Sequence, residues 1–228
     1  MRLVTWNCCS SLAKKFEKLI ELKPDVAIVP ECEKELSGLP EGASYLWLGH
    51  NPRKGLGVIS FRGDIEIDQS LSSTWTYFLP INAGGFKVLA VWAFNDRTGK
   101  YGADGDGYPL SVLPQLDSWL TNSNTLILGD FNNSAIWDKP KGTNNMTAIA
   151  SHMSEKGFRS AYHEFSGEAY GQESESTFYH QRKREKPYHI DYCFYPSGIE
   201  LVDVQIGAYD DWIEYSDHVP VIVDIEGI

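Results

Sequence analysis

The stretch Leu126-Ile127-Leu128-Gly129-Asp130-Phe131-Asn132-Asn133 decides how this chain folds. A short apolar run closes in a Gly and then in two hydrogen-bonding side chains, Asp130 and Asn132. That pattern predicts a buried strand over 125–129 whose end opens into a loop. In open α/β sheets the core stops at such an end, and polar groups there meet solvent and ligand. An ordinary strand with an Asp/Asn turn would read the same way, so the other strand ends must decide between the two.

They carry similar groups. Leu3-Val4-Thr5-Trp6-Asn7 reads as a strand ending in an amide. Ser10 or Ser11 is placed to cap a following helix, where Leu12, Phe16, Leu19, Ile20 and Leu22 recur at helical spacing until Pro24-Asp25. Val26–Val29 reads as a second buried strand delivering Glu31 at its end. Strands over 45–49 and 56–61 flank Asn51-Pro52-Arg53-Lys54-Gly55, whose two cations either solvate a turn or touch phosphate. Strands over 76–81 and 86–94 flank Asn82-Ala83-Gly84-Gly85, and the second carries Trp92 and runs into Asn95.

Residues 97–107 are polar and Gly-rich. Asp104-Gly105-Asp106-Gly107 starts like a calcium loop, but Pro109 and Gln115 stand where an EF-hand requires Gly and Glu. The segment is therefore expected to be a loop. Helices are expected over 110–120 and 143–156, the second stopped by Gly157, and a strand over 158–165. Gln181-Arg182-Lys183-Arg184-Glu185-Lys186 is the dense basic run of the chain, readable as a solvated hairpin loop or as a phosphate-tracking patch. From Tyr188 to Tyr195, His189, Asp191, Cys193 and Tyr195 share one strand face, with Ile190, Tyr192 and Phe194 on the other. An Asp inside a strand is costly unless it is paired. Strands over 201–206 and 219–225 finish the chain, with Ser216-Asp217-His218 between them.

The 228 residues suit a single domain, 1–228, with no linker, low-complexity tract or simple repeat. Hydrophobic residues at 42% and charged ones at 22% match a soluble globular chain. The net charge of −11 argues against a passive DNA-binding module, which would carry a basic face. It does not exclude an enzyme acting on phosphates with a divalent cation at its site. Cys8, Cys9, Cys32 and Cys193 form no CxxC pair or disulfide framework and read as buried free thiols of a reducing compartment. With no signal peptide at residues 1–10 and no apolar run of membrane length, a cytoplasmic protein without membrane attachment is expected. No protein partner is predicted.

Strand ends thus supply Asn7, Glu31, Asn95, Asp130, Asn132, Asp191, Asp217 and His218. Such a set suits metal-assisted phosphoester hydrolysis. Mg²⁺ takes oxygen ligands, often one or two carboxylates, and Glu31 with Asn7 fits that role. Asp130 could align the attacking water, Asn132 and Asn95 could donate to phosphate oxygens, and His218, oriented by Asp191, could donate where negative charge develops.

Thr5-Trp6-Asn7, Pro30-Glu31, Gly129-Asp130-Phe131-Asn132, His189-Ile190-Asp191-Tyr192 and Ser216-Asp217-His218 occur in the order of the endonuclease/exonuclease/phosphatase superfamily. Over essentially its whole length the chain resembles the exonuclease III and abasic-endonuclease branch most closely. The resemblance implies a four-layer α/β sandwich, two mixed β-sheets face to face with helices outside. It also implies Asn7, Glu31 and Asp217 at a Mg²⁺ ion (Mn²⁺ as a substitute), Asp130 and Asn132 at the water and phosphate, and an Asp191–His218 pair. Two positions depart from the pattern. Trp92 stands where many members have Tyr or His and cannot act as acid or base, although with Asn95 it remains a substrate-contact candidate. Cys9 replaces a further acid found in some relatives. The expected function is a divalent-metal-dependent phosphodiester hydrolase, a nuclease acting on DNA. The alternatives are a phosphoesterase for a nucleotide, lipid headgroup or other small phosphoester, and a catalytically inactive binding domain.

Overall fold

The computed structural model describes all residues except 72–74, 76, 95–106, 121–123, 143 and 227–228. In chain order its first elements are β1 (Arg2–Thr5), α1 (Phe16–Ile20), β2 (Val26–Cys32), β3 (Ser44–Asn51), β4 (Lys54–Ser60), β5 (Ile65–Ile67) and β6 (Phe78–Ala83). Next come β7 (Phe86–Trp92), α2 (Pro109–Val112), β8 (Thr125–Asp130), α3 (Met146–Glu155), β9 (Phe158–Ser160) and α4 (Ala161–Ser166). The last are β10 (Phe178–Tyr179), β11 (Pro187–Tyr188), β12 (Asp191–Pro196), β13 (Glu200–Ile206), α5 (Tyr209–Trp212) and β14 (Val221–Glu226).

Two six-stranded sheets form, ordered β13-β14-β1-β2-β4-β3 and β5-β6-β7-β8-β12-β9. Each is mixed, built around one parallel pair: β1 with β2, and β7 with β8. Strands that alternate along the chain between two buried faces explain why so many of them read as continuous apolar runs. Leu3, Ile28, Val58, Leu126, Leu128, Cys193 and Val223 point into the core between the sheets. Their neighbours Ile127, Tyr192 and Phe194 pack outward against Val112 of α2 and Ile149 and Met153 of α3. On the other sheet Val4, Trp6, Ala27 and Ile222 pack outward against Leu12, Phe16, Leu19 and Trp212. The result is the expected four-layer sandwich, with short helices outside.

Gly129 is required where it stands. Its φ is +150°, and a Cβ there would lie 1.9 Å from the carbonyl oxygen of Val91 on β7. The parallel β7–β8 pair can close only over a residue without a side chain.

Several local expectations differ from the structure. Helix over 110–120 is confined to α2 and a 3-10 turn at Leu113–Leu116, because Pro114 lacks the N–H a continuing helix needs. The helix after Ser10 and Ser11 is likewise short. Neither Ser caps it; the Glu33 carboxylate accepts the backbone N–H groups of Leu12 and Ala13 at 2.8 and 2.9 Å. The strand over 158–165 ends at Ser160, and α4 follows until Gly167, whose φ of +73° closes it. Tyr188 pairs in a separate hairpin with Phe178, so the strand carrying Asp191 starts at Asp191 itself. Gly157 stops α3 as expected. The basic run lies in the loop of the β10–β11 hairpin, where Arg182 donates to the carbonyls of Glu214 and Tyr215 and Arg184 pairs with Asp210. These two side chains anchor the α5 segment rather than reach for a strand of phosphates. No helix among the described residues is long and apolar enough to cross a membrane.

Candidate active site

β8 and β12 run antiparallel with Asp130 opposite Asp191, while Trp92 on β7 is in register with Asp130. Three neighbouring strands of one sheet thus bring Trp92, Asp130 and Asp191 side by side at the end of the sandwich. The other sheet answers across the gap. Asn7, just past β1, donates from Nδ2 to Asp130 Oδ2 at 3.0 Å. His218, just before β14, meets Asp191 Oδ2 through Nδ1 at 2.9 Å. Its Nε2 stands 4.0 Å from Asp130 Oδ2, too far for a direct hydrogen bond, so that N–H is not spent on the carboxylate.

The trio is held from several directions. Asn132, at a φ of +47°, donates its backbone N–H to Asp130 Oδ1 at 2.8 Å and its amide to Oδ2 at 3.1 Å. A left-handed Asn after a strand is tolerated because its side chain hydrogen-bonds locally. Thr177 Oγ1 accepts the N–H groups of Ile190 and Asp191, each at 3.0 Å, while its carbonyl accepts the N–H of Val219. Ser216 Oγ donates to the Asn7 carbonyl and accepts the His218 N–H, and Trp6 Nε1 donates to the His218 carbonyl. His189 stands behind them, its Nδ1 against the Glu175 carbonyl at 2.9 Å and its ring over Tyr162.

Burial sets the electrostatics. Asp130 is fully buried. Loss of water, with the Asp191 charge beside it, pushes its carboxyl up to about 7. For His218 burial acts in the opposite sense, disfavouring the imidazolium, but the adjacent Asp191 and then Asp130 outweigh it and carry the group up to about 9. The neighbouring acids thus favour the charged form of His218, and burial gives Asp130 a basicity suited to taking a proton.

A second group of charges adjoins. Glu31 occupies a bulge of β2 at a φ of +65°, where the pairing with β4 shifts register. Such a backbone conformation is strained for a residue with a side chain and is found at functional sites. Its Oε2 holds Lys54 Nζ at 2.9 Å. Burial pulls the Lys54 ammonium down, but the hydrogen bond and charge of Glu31, then Cys9 and Asp217, more than restore it. Cys9 senses Asp217 and Glu31 in turn, with burial the first cause of its raised thiol. Asp217 also acts on His218, so the two groups form one continuous field.

Of the expected residues, Asp130, Asn132, Asp191, His218 and Asn7 converge directly, and Glu31 with Asp217 lies in the adjoining group. Asn7 is engaged at both ends, since its Oδ1 accepts the Cys9 N–H at 3.0 Å. Trp92 is buried in the inter-sheet core against Tyr77 and Phe94. Asn95 and most of the 97–107 loop lie outside the described residues. The donor chemistry suits a hard divalent cation. Glu31 already holds a cationic group, and Asp191 Oδ1 is buried without a hydrogen-bond partner among the described residues. One ligand atom each from Asp130, Asp191 and His218 lie within 4.8 Å of one another, but a charged His218 offers no lone pair to a cation, so only the acids of this trio are metal donors. All four cysteines are free, and burial pushes the Cys32 and Cys193 thiols up to about 12, which leaves them inert.

No family model and no curated protein matches the chain. Solved structures do. The 3′ phosphatase NExo from Neisseria, bound to a product DNA hairpin, aligns over 100% of both chains with a TM-score of 0.76 at 18% identity. An AP endonuclease from Archaeoglobus fulgidus aligns over 100% of both chains at 0.70 and 17%. An endonuclease/exonuclease/phosphatase family protein from Leptotrichia buccalis gives 0.62 and 16%, again over 100% of each. The chain has the endonuclease/exonuclease/phosphatase fold. In that fold the two parallel pairs are counterparts, each ending at the site: β1 and β2 lead to Asn7 and Glu31, β7 and β8 to Trp92 and Asp130.

Two contributors escaped the sequence reading. Thr177 looks like any strand-opening Thr, and its double acceptance becomes visible only when β10 pairs with β11, just ahead of β12. Lys54 was recognisable as a cation in a turn, but its partner Glu31 lies on a neighbouring strand, 23 positions back.

Proposed function

We propose that the chain is a divalent-metal-dependent phosphodiester hydrolase acting on DNA. The observation that carries this reading is the junction of Asp130, Asp191 and His218 with Asn7 across two sheets. Here buried carboxylates and an imidazole are kept in fixed mutual geometry at the cost of desolvation. Neighbours of the same fold are described as a DNA-bound phosphatase and an AP endonuclease, which supports nucleic acid as the substrate class.

In this reading Asp130 accepts the proton of the attacking water and fixes its direction, with Asn7 and Asn132 preventing the carboxylate from turning. Asp191 holds the His218 ring through Nδ1 and keeps it charged, so that the Nε2–H donates to a phosphoryl oxygen as negative charge grows there. Trp92, buried beneath the site, excludes water rather than moving a proton. Glu31, Asn7 and Asp217 would hold the metal, Mg²⁺ or in its place Mn²⁺. The ion, when bound, supplies Lewis-acid polarisation of the phosphate.

The test is cleavage of end-labelled duplex DNA carrying one abasic site, beside intact duplex, single-stranded DNA and RNA, with Mg²⁺ or with chelator. Metal-dependent cutting of DNA is expected, and the product ladder separates internal from terminal attack. If every polymer stays intact while a nucleotide or other small phosphoester is hydrolysed, the same residues serve the small-substrate alternative. No hydrolysis of either class would leave a binding domain.

A further inference from the structure

Beside Glu31 lies a cleft of about 470 Å³ lined by Ser10, Ser11, Glu33, Asn51, Arg53 and Lys54. Its floor is rigid. Cys9, Ser10 and Ser11 are three consecutive left-handed residues, with φ of 51°, 69° and 56°. Lys15 clamps them by donating to the carbonyls of Cys8 and Ser10 at 2.6 and 2.9 Å. Glu33, the acid on the wall, has both carboxylate oxygens occupied by backbone N–H groups. On the opposite wall Asn51 Oδ1 accepts the Arg53 N–H and sets the β3–β4 turn. The Arg53 guanidinium has no carboxylate partner among the described residues. Lys54, 44% exposed, stands at the boundary, its ammonium on Glu31 and 5.6 Å from the centre of the Trp92 ring.

A divalent cation arriving at Glu31 meets the ammonium already on Oε2, and like charges that close repel strongly even near a protein surface. We propose that Lys54 is an internal counter-cation that yields Glu31 to the metal and turns into the cleft, where with Arg53 it takes a phosphate of the substrate strand. Metal and phosphate-bearing substrate then bind cooperatively. The metal frees the ammonium for phosphate, and phosphate draws the ammonium off the metal's carboxylate. This is a reciprocal coupling between two adjoining sites. The Trp92 ring, 5.6 Å from the ammonium while it rests on Glu31, steadies that resting position, and the half-exposed side chain supplies the reach. Free enzyme is meanwhile spared an uncompensated carboxylate at the strained Glu31 position. The proposal rests on Glu31 being a metal ligand.

Calorimetric Mn²⁺ titration at pH 7 tests it without turnover, on wild type, Lys54→Met, Lys54→Arg and Glu31→Gln. Each is measured in sodium chloride and in sodium sulfate of equal ionic strength, sulfate serving as the phosphate mimic. Lys54→Met is expected to bind Mn²⁺ about fivefold more tightly than wild type in chloride, and Lys54→Arg to bind as wild type. Sulfate is expected to tighten wild type severalfold and to leave Lys54→Met unchanged. Glu31→Gln should bind weakly in both salts. If Glu31→Gln weakens binding but Lys54→Met does not tighten it, the counter-cation role is overturned while Glu31 remains a ligand. If Glu31→Gln binds as wild type does, the ligand assignment falls, and this proposal with it.

Discussion

Replacing His218 with Gln keeps a polar side chain in the slot but removes the positive charge between Asp130 and Asp191. The folded pKa of about 9 lies above the ordinary 6.5, so proton binding stabilises the native state. That contribution is fully present below the unfolded value and disappears as pH rises through the folded one. Linkage over this interval gives roughly 2–3 kcal/mol at pH 7, falling to near zero by about pH 10. Urea unfolding of wild type and His218→Gln, followed by tryptophan fluorescence at pH 7 and pH 10, reads the difference directly. The variant should unfold at clearly lower urea at pH 7, and the gap should close at pH 10. A deficit of the same size at both pH values would refute the reasoning, because lost packing, not lost charge, would then be the cause.

Asp191→Asn should lower the maximal hydrolysis rate by roughly 10³-fold. It should also move the alkaline limb of the pH–rate profile to lower pH, since the Asp191 charge is what chiefly carries His218 upward. Unchanged limbs would show that His218 does not set them. Thr177→Val keeps the shape of the side chain but leaves two buried N–H groups without their acceptor, and should cost about 2 kcal/mol in urea unfolding together with a fall in turnover. Gly129→Ala forces a Cβ onto the Val91 carbonyl and should destabilise by about 3 kcal/mol or more, seen as a lowered thermal midpoint.

Much of this site could be read from the chain because each polar group sits where an apolar run stops. Asn7, Glu31, Asp130 and His218 lie at or beside strand ends whose limits hydrophobicity marks well, and the alternation after His189 correctly put Asp191 on the face of Cys193. The helices were less legible. Pro114 cuts an apolar stretch that keeps helical spacing on both sides. In 158–165 the apolar residues Phe158, Ala161, Tyr162 and Phe165 fit a helical face as well as a strand, and the choice falls to Ser160 pairing with Phe194. Helix capping by Glu33, support from Thr177 and the ion pair of Lys54 all depend on which strands become neighbours. Local sequence does not encode that directly. Asn7 shows the same limit in reverse: its place at the strand end was plain, but its donation to Asp130 requires the second sheet.

Single-turnover cleavage of end-labelled abasic-site DNA by wild type, Asp130→Asn and His218→Ala in Mg²⁺, with DNA affinity measured in parallel, bears most directly on the claim that this junction performs the chemistry. Wild type should cut, and each variant should bind DNA comparably and cut about 10³-fold more slowly. Variants that fold, bind and cut like wild type would place the chemistry elsewhere in the molecule.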